Sequence, residues 1–194
     1  NRTDDYRGLF RDIAAEADVL LLCGDLTNYG KTGEAILLAE DLSGLPIPVF
    51  AVLGNHDHEC GQPDVVKTYL ADAGVRVLDN GESFQHDGVG FAGCMGAMGG
   101  FGRGMLSSFG EPSVKAFVQA CMEENKKLEN SLRMLRTERA VAVLHYAPIL
   151  GTLEGEPPEI LPFLGNSRLA QTVDQFENVR AVVHGHAHRG VHRG

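Results

Sequence analysis

The chain is predicted to fold as an α/β protein with a largely parallel sheet covered by helices on both sides. Three observations point there. Helical and strand-like signals alternate along the 194 residues, the pattern of a sheet layered with helices. The principal strand candidates, residues 19–23, 49–53, 140–144 and 181–183, are continuously apolar, as strands buried on both faces are and half-exposed strands are not. Each of these runs also stops at polar residues suited to chemistry, which suits strands whose carboxyl ends share one edge.

Tyr6, Phe10, Ile13, Ala14 and Ala17 recur at helical spacing with Arg7, Arg11 and Glu16 on other faces, so an amphipathic helix is expected over residues 4–17. The first strand, 19–23, ends in Gly24-Asp25. Thr32 is placed to cap a second helix reaching about Leu42. Pro46-Ile47-Pro48 then leads into the 49–53 strand. Val66, Tyr69, Leu70 and Ala73 form one face of a helix over 64–73. Short strands are expected at 75–78, around Phe84 and at 89–92, separated by the turn signals Asn80-Gly81 and Asp87-Gly88.

Residues 93–110 hold seven glycines, too many for a packed element, and predict a mobile loop. Val114, Phe117, Val118, Cys121, Leu128, Leu132 and Leu135 mark a long amphipathic helix whose stripe Asn125 interrupts. The 140–144 run ends in His145. A loop with Pro148, Pro157, Pro158 and Pro162 leads to a helix over 167–176, and the 181–183 run ends in His184-Gly185-His186-Ala187-His188.

Length and a hydrophobic content of 43% allow one sizeable core, and a single domain over 1–194 is expected. A formal charge of -9 argues against a nucleic-acid partner, which needs a positive field. Cys23, Cys60, Cys94 and Cys121 show no paired spacing, which reads as reduced thiols in a cytoplasmic protein. No apolar stretch approaches the roughly 18 residues of a membrane span. Asn1-Arg2-Thr3 matches a glycosylation sequon. The chain begins with Asn and enters a helical pattern almost at once, and residues 189–194 stop in loop-like sequence, so it reads as a fragment at both ends.

Asp25, Asn55-His56, His145 and His186-x-His188 each follow an apolar strand. Carboxylate, amide oxygen and imidazole together suit ions such as Mn, Fe or Zn, and the lack of cysteine at these ends disfavours a soft thiolate site. Taken singly each has an ordinary reading. Asp25 alone is a turn residue, and a single strand-end histidine such as His145 is often structural. Their recurrence at four strand ends favours one metal site. His184 reads as a sheet-edge residue, and His58, His86 and His192 as surface or supporting histidines. Gly88-Val89-Gly90-Phe91-Ala92-Gly93 matches a dinucleotide fingerprint but opens no helix, so that reading is rejected. Phe101 and Arg103, on the glycine-rich loop, are placed to cover the site and meet substrate, or belong to a plain excursion of the chain.

Gly24-Asp25-Leu26-Thr27, Gly54-Asn55-His56-Asp57, His145 and Gly185-His186-Ala187-His188 occur in the order found in calcineurin-like metallophosphoesterases, which the chain resembles over about residues 19–188. The resemblance implies a four-layer α/β/β/α sandwich and hydrolysis of a phosphomonoester or phosphodiester by metal-bound hydroxide. It implies two divalent or trivalent metal ions bridged by Asp25, with Asn55, His145 and His186 on the second and His188 on the first. His56 resembles the catalytic histidine and Asp57 the carboxylate that orients and charges it. The implied substrate is a small-molecule phosphoester, and the motif forms are closest to a bacterial cyclic-nucleotide phosphodiesterase-like branch. The family's Asp-x-His pair on an earlier strand is absent here and is expected upstream of Asn1; Asn28 stands where many relatives carry Asp. A non-catalytic scaffold on the same fold, or a nuclease of the superfamily, is the alternative.

Overall fold

The computed structural model describes residues 6–191 and 193–194. The Asn1-Arg2-Thr3 sequon, the opening residues of the expected first helix and His192 lie outside them. In order, the elements are α1 (Arg7–Glu16), β1 (Leu20–Cys23), α2 (Thr32–Leu42), β2 (Val49–Val52), α3 (Pro63–Asp72), β3 (Arg76–Val77), β4 (Ser83–His86), β5 (Val89–Cys94), α4 (Pro112–Met134), β6 (Arg139–Leu144), α5 (Leu161–Leu164), α6 (Ser167–Val173) and β7 (Val179–His184).

The strands divide into two sheets where the apolar runs alone suggested one. β1, β2 and β3 pair in parallel, and a second sheet runs β4-β5-β6-β7, antiparallel only between β4 and β5. The antiparallel pair is a hairpin turned at Asp87-Gly88, both with positive φ (46° and 75°), as a two-residue turn matching strand twist requires. A continuous apolar run reports burial on both faces and not what covers each face.

Period-two alternation within the runs assigns the faces. Phe50, Val52, Leu78, Phe91 and Val143 meet between the two sheets, with the Phe50 and Phe91 rings stacked at 4.4 Å. Ala51 and Leu53 turn the other way, onto Phe10, Ala35, Leu42, Val66 and Leu70 of α1 to α3. Ala140, Ala142 and Leu144 turn onto Leu128 and Leu132 of α4 and Leu169 of α6. The result is the helix, sheet, sheet, helix layering that the motif resemblance implied.

Two local expectations change. The residue before α2 is Lys31, and Glu34, not Thr32, satisfies the helix start, its carboxylate accepting from Tyr29 N–H (3.0 Å) and Lys31 N–H (3.2 Å). Within residues 93–110, expected as a mobile loop, Gly99, Gly100 and Leu106 are tied to the 162–168 segment. Gly99 and Gly100 N–H donate to the Pro162 and Gly165 carbonyls (both 2.9 Å), and Arg168 Nη2 donates to Leu106 O (3.0 Å). Gly99 and Gly100 adopt positive φ, 145° and 87°, the region that favours glycine. No helix among the described residues is long and apolar enough to cross a membrane.

Candidate metal centre

The carboxyl ends of β1 and β2 in one sheet and β6 and β7 in the other face a common place. Asp25, His145 and His186 bring their ligand atoms within 4.8 Å of one another there. His145 is fully buried, and Asp25 and His186 are partly exposed. Asn55 joins them, its Oδ1 lying 2.9 Å from His145 Nε2, with Asp25 Oδ1 3.5 Å from the same nitrogen.

The protonation pattern of this cluster tests whether a cation fits. His145 Nδ1 lies 2.9 Å from the Cys23 carbonyl, which only accepts, so Nδ1 carries the proton. Burial lowers the His145 pKa, against the opposing pull of the Cys23 carbonyl and Asp25, so the neutral ring is favoured. Nε2 then presents a lone pair to two further oxygens, Asn55 Oδ1 and Asp25 Oδ1. Three electron-rich atoms turned on one another are unfavourable alone and suit a bound cation, with Nδ1 held by its second partner as in metal-ligating histidines generally. Burial, then His145, lowers the His186 pKa as well; a metal ligand must be neutral imidazole.

Backbone conformation at the cluster is unusual. Asp25 and His186 both lie in the left-handed region, with φ of 52° and 65°, sparsely populated by non-glycine residues and concentrated at functional sites. Gly54 is required by contact: a Cβ there would collide with Asp25 N and Oδ1. The β1 and β2 loops are therefore packed backbone against backbone.

His56 sits on the short 3-10 turn after Asn55. Its backbone N–H donates to Asp25 Oδ1 (3.0 Å), and its ring Nδ1 lies 2.9 Å from the Asn28 carbonyl. That assigns the proton to Nδ1 and leaves Nε2 free of this bond. The ring's partner is thus a backbone carbonyl and not Asp57. Asp57 is fully buried and accepts from Leu26 N–H (3.1 Å), Thr27 N–H (2.8 Å), Thr27 Oγ1 (2.7 Å) and Gly54 N–H (2.8 Å). It clamps the Asp25 loop to the Asn55 loop. His188 is exposed and lines a cavity of about 960 Å³ along the outer edge of β7, outside the three-residue cluster.

The family model of calcineurin-like phosphoesterases matches residues 1–190. The chain belongs to that family. Among curated proteins, a probable glycerophosphodiester phosphodiesterase GpdQ of Arcobacter nitrofigilis is 22% identical over 97% of this chain. The chain spans about 65% of that relative's length. Two solved structures share the fold. One superposes with a TM-score of 0.63 at 16% identity, covering 97% of this chain and 80% of its own. The other, TT1561 of Thermus thermophilus, gives 0.56 at 16% identity, covering 93% and 73%.

For this member of the calcineurin-like phosphoesterase family the structure gathers Asp25, Asn55, His145 and His186, places His56 beside them and leaves His188 on the rim. Sequence reading missed the groups that hold them: the Cys23, Asn28 and Met95 carbonyls, the last accepting from both His145 and Tyr146 N–H at 3.1 and 3.0 Å. Backbone acceptors carry no residue signature. Thr27, two residues after Asp25, was also missed: its N–H and Oγ1 both donate to Asp57 Oδ1. Because Asn28 acts through its carbonyl and its side chain is exposed, Asn in place of Asp leaves this contact intact. Phe101 packs with Leu153 and Leu164 in a small apolar cluster while Arg103 stays exposed.

Asp57→Ala is expected to cost about 3 kcal/mol or more, because it strands buried donors at roughly 1–3 kcal/mol each. Urea unfolding of the purified variant checks this; a midpoint equal to wild type would show that the clamp contributes nothing.

Proposed function

We propose that the chain is a metal-dependent phosphoesterase with a dinuclear centre, acting on a small-molecule phosphodiester. The observation that carries this reading is the cluster of Asp25, His145 and His186, with the His145 Nε2 lone pair turned on Asn55 Oδ1 and Asp25 Oδ1. Family membership supports the reaction class, and the relative named as a glycerophosphodiester phosphodiesterase favours a diester over a monoester. A net charge of -9 speaks against a nuclease.

Asp25, Asn55, His145 and His186 would hold one ion, and Asp25 with His188 would contribute to a second. Bound ions of this kind supply Lewis acidity, activating water and offsetting charge on phosphoryl oxygens. The chain's own part is orientation and proton handling. Asp25 and Asn55 are fixed by the Asp57 clamp and by the His56 N–H. With Nδ1 held by the Asn28 carbonyl, His56 presents Nε2, from which an imidazolium can deliver a proton to the departing oxygen.

The test is hydrolysis of bis-p-nitrophenyl phosphate and of glycerophosphodiesters by the protein supplied with Mn²⁺, beside the same protein after chelation. Mn²⁺-dependent turnover is expected. Metal uptake without turnover on either substrate would instead indicate a binding scaffold on this fold.

A further inference from the structure

The loop carrying Asn55 and His56 opens with two backbone N–H groups, and each is held by a buried carboxylate. Gly54 N–H goes to Asp57, inside the loop. Leu53 N–H goes to Asp79 Oδ2, at 2.9 Å, from the neighbouring strand end. β2 and β3 pair through Phe50 with Arg76 and Ala51 with Val77, and Leu78 N–H still reaches the Ala51 carbonyl (2.9 Å). One residue further the chain turns toward Asn80-Gly81, with Gly81 at φ 81°. The Asp79 side chain takes over where the backbone ladder stops.

Asp79 is 5% exposed, and its second oxygen, Oδ1, is buried with no hydrogen-bond partner. A buried carboxyl with one oxygen unmet is costly, and such a group calls for an explanation beyond packing. Burial pushes its pKa up to about 7, opposed by the Leu53 N–H and by Lys67 of α3 and Lys127 of α4, and reinforced by Glu124 of α4. The buried Cys94 thiol of β5 is a further neighbour.

We infer that Asp79 is a positioning residue for the active loop: by holding Leu53 N–H it sets the direction in which the chain leaves β2, and so where Asn55 Oδ1 and the His56 ring stand against Asp25 and His145. The inference rests on the phosphoesterase reading of that site. Leu53 precedes Asn55 by two residues, so the Val52-Leu53 peptide that Asp79 holds sets the start of the turn that Asp57 fixes at Gly54, and a displacement of about 1 Å at reacting groups costs on the order of 100-fold in rate.

The same contact carries a pH signature. A carboxyl raised from 3.8 to about 7 holds its proton in the folded chain where the unfolded chain has lost it. The Asp79 contribution to stability is therefore fully present below about pH 4, is lost as pH rises toward 7 and changes no further above that. In the folded protein, ionisation near pH 7 changes the acceptor seen by the Leu53 amide.

Two measurements test the inference on the whole chain. In ¹⁵N-labelled protein without added metal, the Leu53 amide is expected to titrate with a midpoint of about 7 in wild type and to lose that titration in Asp79→Asn. With Mn²⁺ present, Asp79→Ala is expected to lower kcat on bis-p-nitrophenyl phosphate by about 10- to 100-fold, with KM within about twofold and bound Mn²⁺ unchanged. Asp79→Asn keeps an acceptor for Leu53 and is expected to restore kcat to within about threefold of wild type. Wild-type kcat in Asp79→Ala, or an Asn variant as impaired as Ala, overturns the inference, and so does a Leu53 amide whose titration survives in Asp79→Asn. Should Asp79→Ala fail to fold, the amide titration with the Asn variant decides alone. If wild type turns over neither diester, the phosphoesterase reading falls, while the amide titration still reports whether Asp79 governs the loop.

Discussion

His56→Ala is expected to lower kcat for diester hydrolysis by about 10²- to 10⁴-fold, the range for loss of a positioned general acid, and to leave bound metal unchanged. The separation follows from where the two ends of the residue go. The contact of His56 with the cluster is its backbone N–H, which donates to Asp25 Oδ1 and survives the substitution. What is lost is the ring, with Nδ1 on the Asn28 carbonyl and Nε2 as the proposed proton donor. Asn28 is exposed, so its carbonyl is resolvated and the cost in stability stays near ~1 kcal/mol. Steady-state kinetics with metal analysis of the same preparation provides the check. Equal kcat in variant and wild type would remove His56 from the mechanism.

Asp25→Asn is expected to release most of the bound metal, and more than His188→Ala does. Asp25 is the sole carboxylate of the described cluster and the proposed bridge between ions, whereas His188 stands exposed on the rim. Asparagine is the informative replacement. Asp25 adopts φ 52°, a conformation Asn tolerates and Ala resists at about 1–2 kcal/mol, and Asn keeps an acceptor for the His56 N–H. Loss of metal in Asp25→Asn with an unchanged urea midpoint therefore reports the charge and not the fold. Metal retained at wild-type stoichiometry after dialysis would exclude Asp25 as a bridging ligand.

Much of this site is readable as residue types at strand ends. Asp25, Asn55, His145 and His186 each follow a run whose apolar continuity marks it as buried, and the rule that ligands gather at carboxyl edges brings them together. The motif resemblance implied Asp57 as the partner of His56. In the 3-10 turn consecutive side chains diverge by about 120°, so His56 faces Asn28 and Asp57 points inward to Leu26, Thr27 and Gly54. The anchoring of the glycine-rich loop was hidden from the sequence for a related reason. Composition shows how few side chains 95–106 contributes, but the carbonyls of Pro162 and Gly165 that hold it lie far along the chain, beyond α4 and β6.

The sequence by itself determined the alternation of helices and strands, the order of the strand-end motifs and the residue types offered there as candidate donors, because these depend on side-chain chemistry and short-range period. The motif resemblance implied two stacked sheets; the tertiary structure alone decided which strands share each sheet and that the four strand ends meet across the seam. It also decided which backbone carbonyls assign the protons of His145 and His56, and that Asp79 completes the edge of β2. The difference is physical. A side chain's donor type is a property of one residue, whereas a hydrogen bond between Cys23 and His145, or Leu53 and Asp79, exists only once layers far apart in sequence have packed.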